Sequence, residues 1–185
     1  MRKFFVSSSF VLTLAACAPS ESSTNIEDTS EADAEAVIAT ADMTAADGTS
    51  KGKVTLSNLD GRLSLALEIQ GFETGEKAFH LHTAGQCEGP DFKSAGGHLN
   101  PFAKSHGSLN EDGKHLGDFP NIDVSSEGNV NTELPIEGDP TDLLALIFDT
   151  DGTAVMIHAG PDDYISDPAG AAGPRIACGV LERAS

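Results

Sequence analysis

The feature that most constrains the fold is a two-residue alternation within the segment LDGRLSLALEIQG, residues 59–71. Every second position from Leu63 to Ile69 is leucine or isoleucine, and the positions between them carry small or polar residues. Because successive side chains of a β-strand point to opposite faces, this spacing puts all the apolar side chains on one face. We therefore predict a half-buried strand here.

Other short segments have strand-like patterns and are separated by turn signals. The further predicted strands have the sequences AVIATADM, KGKVTLSN, KAFHLHT, LLALIFD, TAVMIHA and IACGVLE. AADG and NLDG read as turns, and Asp151-Gly152 predicts a tight hairpin between LLALIFD and TAVMIHA. No segment shows a long 3.6-residue period, so the sequence predicts an all-β fold, an antiparallel sandwich or barrel.

Two long irregular segments, about 84–120 and 159–176, lie between predicted strands and are rich in Gly, Pro and Asp. Loops of that length inside a compact domain usually carry function. We therefore expect two long functional loops.

The N-terminal residues have the pattern of an export signal. Residues 1–16 begin with Arg2 and Lys3, continue in an apolar run and end in small residues, and are too short to span a membrane. The sequence LAAC, residues 14–17, resembles the lipobox of bacterial lipoproteins, in which the Cys is acylated after cleavage. The alternative is an ordinary signal peptide in which Cys17 is incidental. We predict that 17–35 is a lipidated cysteine with a disordered acidic tether, and that 36–185 is the single folded domain.

The charge and the cysteines narrow the class of protein. The chain has 11 basic and 29 acidic residues, a formal charge of −18, which disfavours a nucleic-acid partner. Export leaves Cys87 and Cys178 in an oxidising compartment, where a disulfide is the default. Such a bond closes a loop of about 90 residues and stabilises the fold by roughly 4–5 kcal/mol in the chain-entropy model.

Four of the six histidines lie within residues 78–107. His80 and His82 are two apart in a predicted strand, so they point to the same face and can share a metal. Alone, such a pair is more often two exposed histidines.

The following loop changes this balance. It supplies three histidines and a carboxylate, a set suited to tetrahedral zinc: His98, His106, His115 and Asp118. Its glycines and Pro101 allow it to double back. With His158 on the strand TAVMIHA, every histidine of the chain can be assigned to a metal site.

With this set of histidines, the sequence resembles the copper/zinc superoxide dismutases of the bacterial, exported type. The motifs that carry the resemblance are AFHLHTAGQC, SAGGHLNP, KSHG, KHLGDFPN, MIHAGPDD and GAAGPRIACGVLE, and it covers roughly residues 36–182. It implies an antiparallel Greek-key β-barrel or sandwich of immunoglobulin-like type. It also implies disproportionation of superoxide to dioxygen and hydrogen peroxide as copper cycles between Cu(II) and Cu(I).

The resemblance implies one copper and one zinc per chain. It assigns copper to His80, His82, His98 and His158. It assigns zinc to His98, His106, His115 and Asp118, so that His98 bridges the metals and takes part in catalysis. Asp162 matches a carboxylate that hydrogen-bonds a ligand histidine from each site. Arg175 matches the arginine that guides the superoxide anion to the copper, and Cys87 and Cys178 match an intrasubunit disulfide.

A non-enzymatic module that binds or delivers copper or zinc is the competing class. It needs neither the bridging His98 nor Arg175, so their presence favours the enzyme. We expect the protein in the bacterial cell envelope, in the periplasm, touching a membrane only through a lipid anchor on the outer membrane. Exported members of the family include monomers and dimers, so the resemblance admits a homodimer.

Overall fold

The computed structural model describes residues 36–185, together with Met1. The predicted signal peptide beyond Met1, the lipidated Cys17 and the tether lie outside the described residues and stay predictions. Among the described residues, no helix has both the length and the apolar character that crossing a membrane requires.

Within residues 36–185 the chain forms ten strands, one α-helix and one 3₁₀ turn. The strands are β1 (Ala36–Ala45), β2 (Ser50–Leu59), β3 (Arg62–Gln70), β4 (Gly75–Lys77), β5 (Phe79–His82), β6 (Ile122–Val124), β7 (Asn129–Ile136), β8 (Ala154–His158), β9 (Arg175–Val180) and β10 (Glu182–Arg183). The helix α1 spans Pro140–Ile147, and the 3₁₀ turn spans Lys93–Ala95.

The strands form a curled antiparallel sheet. Its order is β5-β8-β9-β1-β2-β3-β7, with β10 also paired to β1, and β4 and β6 form a separate two-stranded ladder. The chain crosses between the two edges after β3, β5 and β7, as in Greek-key connections. The predicted all-β antiparallel fold is confirmed.

The core lies on the face that the alternation predicts. Leu63, Leu65 and Leu67 are fully buried and Ile69 is 3% exposed, while the neighbouring Glu68 is exposed. Each such buried side chain contributes roughly 1.5–3 kcal/mol relative to an exposed one. The packed sheet therefore supplies a rigid support for the loops that follow β5 and β8.

One predicted strand is wrong. The first five residues of LLALIFD, Leu143–Ile147, lie in α1 and Phe148 follows as its C-cap, so the segment forms no hairpin with β8. Asp139 caps the helix by accepting hydrogen bonds from the backbone N–H groups of Thr141 and Asp142 at 2.9 and 3.3 Å, and a proline occupies the first turn. Leu143 and Ile147, four residues apart, are buried against the sheet. This cap and spacing outweigh the strand-like apolar run.

Two strands were missed. The sequence pattern predicts no strand between β5 and the helix, yet β6 and β7 form there and β7 pairs along its length with β3. The first long loop ends where β6 begins, and the second ends at β9, close to the predicted limits.

Candidate metal centre

Three of the candidate histidines lie on two adjacent strands. β5 pairs antiparallel with β8, which ends at His158. His80 and His82 share one face of β5, while Phe79 and Leu81 enter the core from the other face, as predicted. All three histidines are at most 4% exposed. The pairing of β5 with β8 thus brings His158 next to His80 and His82, which lie 78 and 76 residues before it in the sequence.

The long loop after β5 folds back onto that strand. The backbone N–H of Leu99 donates to the carbonyl of Leu81 at 2.8 Å, and that of Leu81 donates to the carbonyl of Gly117 at 3.0 Å. A Cβ at Gly117 would lie 2.3 Å from the Leu81 carbonyl oxygen, so only glycine allows this approach. The result is that His98 and Asp118 sit directly beside the two β5 histidines.

Four imidazoles meet in one buried group, which we call the four-histidine cluster: His80, His82, His98 and His158. Each offers one ring nitrogen, and these four atoms all lie within 4.8 Å of one another. Among the described residues no hydrogen-bond partner exists for Nδ1 of His80 or for Nε2 of the other three. Buried polar atoms are almost always paired, so four converging unpaired nitrogens indicate a cation site.

The opposite ring nitrogens fix the tautomers of two of these histidines. His82 Nδ1 lies 3.0 Å from the carbonyl oxygen of Gly96, and His158 Nδ1 lies 3.0 Å from that of Gly173. Because a carbonyl can only accept, each Nδ1 must carry the proton. Each Nε2 then presents a lone pair to the cluster, as a metal ligand requires.

A second group adjoins the first and shares His98. We call this group the three-histidine–aspartate cluster: His98, His106, His115 and Asp118. The Nδ1 atoms of His98 and His115 lie 2.8 and 3.1 Å from Asp118 Oδ1, and His106 Nδ1 lies 3.2 Å from Oδ2 without making a hydrogen bond. His98 therefore directs Nε2 to one cluster and Nδ1 to the other, as a bridging imidazole would.

Asp162 connects the two clusters by contacting one histidine of each. Its Oδ2 lies 2.8 Å from His80 Nε2, and its Oδ1 lies 3.0 Å from His106 Nε2. One carboxylate thus orients a histidine of each cluster, the arrangement that the resemblance implies for this position. Gly170 packs against the carboxylate so closely that a Cβ there would lie 1.8 Å from Oδ1.

Two further residues hold Asp162, and the sequence pattern predicts this role for neither. Asn121 binds both backbone groups of Asp162, accepting from its N–H at 2.8 Å and donating to its carbonyl at 3.0 Å. The backbone N–H of Tyr164 donates to Asp162 Oδ1 at 2.7 Å. Asn121 ends the quoted motif KHLGDFPN, so the motif contained a signal, but its contact lies 41 residues away in sequence.

Arg175 stands at the start of β9, opposite His158. Its two terminal nitrogens donate to the carbonyls of Phe92 at 2.7 Å and Gly96 at 2.6 Å. The Gly96 carbonyl is also the partner of His82 Nδ1. The guanidinium is therefore held in one position beside the four-histidine cluster.

The predicted disulfide is confirmed. Cys87 and Cys178 are bonded, with Cα atoms 5.7 Å apart and a sequence separation of 91 residues. The bond joins the long loop after β5 to β9, the strand that begins at Arg175. It thereby helps to hold the loop carbonyls that Arg175 binds.

Burial and neighbouring cations keep the candidate ligands in their metal-binding forms. Burial, then the charges of His98 and Arg175, lowers the pKa of His82 to about 2. Burial lowers the pKa values of His98 and His158 to about 4. Burial acts to raise the pKa of Asp118, but the hydrogen bond from His98 and backbone N–H groups hold it below its usual range. At neutral pH these histidines are neutral and the carboxylate is ionised, as metal ligation requires.

The donor sets fit two different metals. Four imidazoles suit copper, and three imidazoles with one carboxylate form the tetrahedral set common for zinc. The curled antiparallel sheet carries two adjacent clusters of metal-binding side chains that share one histidine. These features define a class of β-barrel proteins that bind two neighbouring metal ions.

Comparison with known proteins agrees with that class. Residues 50–181 match the family model described as copper/zinc superoxide dismutase. The chain is 46% identical over 145 residues to superoxide dismutase [Cu-Zn] 1 of Aquifex aeolicus, covering 77% of this chain and 86% of that protein. It is 39% identical over 153 residues to superoxide dismutase [Cu-Zn] of Caulobacter vibrioides, covering 78% and 85%.

A solved structure gives the same result for the fold. The crystal structure of a SOD-like protein from Bacillus subtilis superposes with a TM-score of 0.72 at 34% identity, covering 77% of this chain and 97% of that one. The chain belongs to the copper/zinc superoxide dismutase family.

Proposed function

We propose that this protein is a superoxide dismutase that converts two superoxide anions and two protons into dioxygen and hydrogen peroxide. The observation that carries the proposal is the convergence of four unpaired, buried ring nitrogens on one point. When bound, copper supplies a one-electron couple between Cu(II) and Cu(I), and zinc supplies a fixed positive charge.

We assign the metals by donor type. Copper would be held by His80 Nδ1 and by Nε2 of His82, His98 and His158. Zinc would be held by Nδ1 of His98, His106 and His115 and by the Asp118 carboxylate. The complete histidine set and the family match support this assignment.

His98 is the proton carrier in this proposal. Its Nδ1 stays committed to the three-histidine–aspartate cluster, where it lies 2.8 Å from Asp118 Oδ1. Its Nε2 has no hydrogen-bond partner among the described residues, so whenever that nitrogen is not ligating copper it could hold a proton and pass it on without the ring rotating.

Arg175 receives the substrate. Two of its N–H groups are fixed on the carbonyls of Phe92 and Gly96, and its remaining donors are left for an anion. The chain carries a formal charge of −18, so a single oriented cation near the four-histidine cluster provides local attraction that the protein as a whole does not.

Asp162 positions the ligands rather than touching substrate. Asp162→Asn keeps the shape of the side chain and removes its charge, so it should weaken metal affinity by about 10–100-fold, as typical for such supporting carboxylates. A competition titration with a chelator measures this, and wild-type affinity in the variant would contradict the positioning role.

Metal analysis combined with a superoxide-consumption assay tests the function. Protein reconstituted with both metals should bind about one copper and one zinc per chain and consume superoxide. His158→Ala alters only the four-histidine cluster, so it should abolish copper binding and activity while zinc remains. Its matched control, His115→Ala, alters only the other cluster. Full metal content without activity would instead favour the copper-binding or copper-delivery module, a class to which a relative named only SOD-like draws attention.

We also propose that the protein is exported to the periplasm of a bacterial cell envelope and anchored to the outer membrane through lipidated Cys17. The sequence LAAC and the polar segment behind it support the anchor, and the Cys87–Cys178 disulfide fits an oxidising compartment. Cys17→Ser should release the protein from the membrane fraction of a bacterial host. A wild-type protein that is already free of membranes and begins beyond residue 17 would refute the anchor. Light scattering of the released form decides between a monomer and the homodimer that the resemblance admits.

A further inference from the structure

Tyr164 has an unusual backbone conformation close to the metal centre. It lies in the loop between β8 and β9, two residues after Asp162, and its φ is 64°. Large side chains rarely adopt a positive φ, because the Cβ atom then comes too close to the following carbonyl oxygen. Glycine has no such cost, and Gly170 and Gly173 of the same loop also have a positive φ. The contacts of Tyr164 must therefore account for a tyrosine at this position.

The phenol of Tyr164 binds the residue that holds Asp162. Its hydroxyl oxygen accepts a hydrogen bond from the backbone N–H of Asn121 at 2.8 Å, across 43 residues of sequence. The Asn121 side chain in turn binds both backbone groups of Asp162. The backbone N–H of Tyr164 donates to Asp162 Oδ1 at 2.7 Å. These contacts form a closed circuit of hydrogen bonds, which we call the Asp162 clasp: Asn121, Asp162 and Tyr164.

Tyr164 also fastens the second long loop to the first. Its carbonyl accepts a hydrogen bond from the backbone N–H of Leu109 at 3.0 Å. Together with the contact to Asn121, this places Tyr164 against the first loop on both sides of His115 and Asp118 in the sequence. The clasp therefore ties the loop that carries Asp162 to the loop that carries the three-histidine–aspartate cluster.

The clasp determines where the Asp162 carboxylate points. Its oxygens lie 2.8 Å from His80 Nε2 and 3.0 Å from His106 Nε2. Because an ionised carboxylate can only accept, both of these ring nitrogens carry the proton. The Nδ1 atoms of the same two rings then face the clusters, and neither has a hydrogen-bond partner among residues 36–185. A displaced Asp162 would turn both rings away from ligating positions.

We propose that Tyr164 is a positioning residue of the metal centre, whose phenol fixes Asn121 and through it the Asp162 carboxylate. The positive φ is retained because one residue has to offer its N–H to Asp162 and its phenol to Asn121. The proposal rests on the metal binding proposed above and is independent of any activity toward superoxide.

Proton exchange at the histidine rings tests this role in the full chain loaded with zinc and Cu(I), which are both diamagnetic. Tyr164→Phe removes the hydroxyl and keeps the ring. The Nε2–H protons of His80 and His106 should then exchange with water roughly three- to tenfold faster, about the factor that one neutral hydrogen bond is worth. The Nδ1–H protons of His82 and His158 should exchange as in the wild type, because backbone carbonyls hold them instead. NMR exchange spectroscopy measures all four rates on one sample.

Zinc affinity, measured by competition with a chelator, gives a second readout. Tyr164→Phe should weaken zinc binding by roughly three- to tenfold, for the same reason. Tyr164→Gly removes the cost of the positive φ together with the phenol, and it should lose at least as much zinc affinity. Ser166→Ala is the matched control, because it removes a hydroxyl of the same loop that contacts Asp163 rather than Asn121. It should match the wild type in both measurements.

The outcomes separate this role from a general loss of stability. Equal acceleration at all four rings would mean that the hydroxyl only stabilises the fold, and would overturn the proposal. Wild-type exchange in Tyr164→Phe, or wild-type zinc affinity in Tyr164→Gly, would overturn it as well. A wild-type chain that binds zinc beside an unaffected Tyr164→Phe variant refutes this inference alone. A wild-type chain that binds no zinc refutes the metal binding on which it rests.

Discussion

Replacing Arg175 tests the link between one fixed cation and the reaction. Arg175→Ala removes the hydrogen bonds to the Phe92 and Gly96 carbonyls, at 2.7 and 2.6 Å, and the donors left for an anion. A hydrogen bond to a charged group is worth about 1.5–3 kcal/mol, and each 1.36 kcal/mol is tenfold in rate. We therefore expect kcat/KM for superoxide to fall by roughly 10–150-fold.

Two further substitutions at the same position separate charge from geometry. Arg175→Lys keeps the charge but loses the planar fork that holds two carbonyls at once, so its loss should be smaller than that of the alanine variant. Arg175→Glu adds repulsion where burial limits screening, so its loss should be the largest of the three. The order Lys, Ala, Glu is the expected result.

The assay is stopped-flow consumption of superoxide at several ionic strengths, with copper and zinc measured on the same samples. If local attraction accelerates the wild type, its rate should fall as salt rises, and this dependence should flatten in Arg175→Ala. Arg62→Ala, which removes an exposed arginine on β3, is the matched control and should behave like the wild type. Wild-type rates in all three Arg175 variants at full metal content would refute the reasoning.

Three more predictions follow from the same contacts. In the metal-free protein, the unfolded chain takes up protons below about pH 6.5, while His98 and His158 resist them down to about pH 4. Their contribution to stability is therefore fully present above pH 6.5 and is lost progressively as the pH falls from 6.5 to about 4, by about 3 kcal/mol per histidine at most. Urea unfolding at pH 7 and pH 5 measures this, and equal stability at both would contradict it. Gly117→Ala should lower both metal affinity and thermal stability, because its Cβ would lie 2.3 Å from the backbone oxygen of Leu81. Chelator competition measures the affinity and calorimetry the stability, and an unchanged variant would show that the loop can shift. Reduction of Cys87–Cys178 should lower stability by about 2–5 kcal/mol, judged by urea unfolding with and without reductant, and no change would mean that the loop needs no covalent tie.

Much of the fold could be predicted because its signals are local. The alternation from Leu63 to Ile69 depends only on the geometry of a strand, and the structure buries that face. The strand predicted for LLALIFD was wrong because a short apolar run fits a strand and a helix equally well, so its local pattern does not distinguish the two. The cap by Asp139 is a local signal for the helix, made with residues two and three positions later. The burial of Leu143 and Ile147 is not local, because it requires the sheet against which they pack.

The sequence by itself determined which residues are candidates for the metal centre. The histidines, Asp118, Asp162 and the two cysteines were all identified from residue type, spacing and family motif, because these are properties of the chain. Their assembly was not local: His80 and His158 are 78 residues apart and meet only because β5 pairs with β8.

Only the tertiary structure decided which ring nitrogen of each histidine points into the clusters and what holds it there. The carbonyls of Gly96 and Gly173 fix the tautomers of His82 and His158, and no spacing rule could have named them. The same holds for the grip of Asn121 on Asp162, which spans 41 residues. Hydrogen bonds depend on position in space within a few tenths of an ångström, and that position is set by long-range packing rather than by neighbours in the chain.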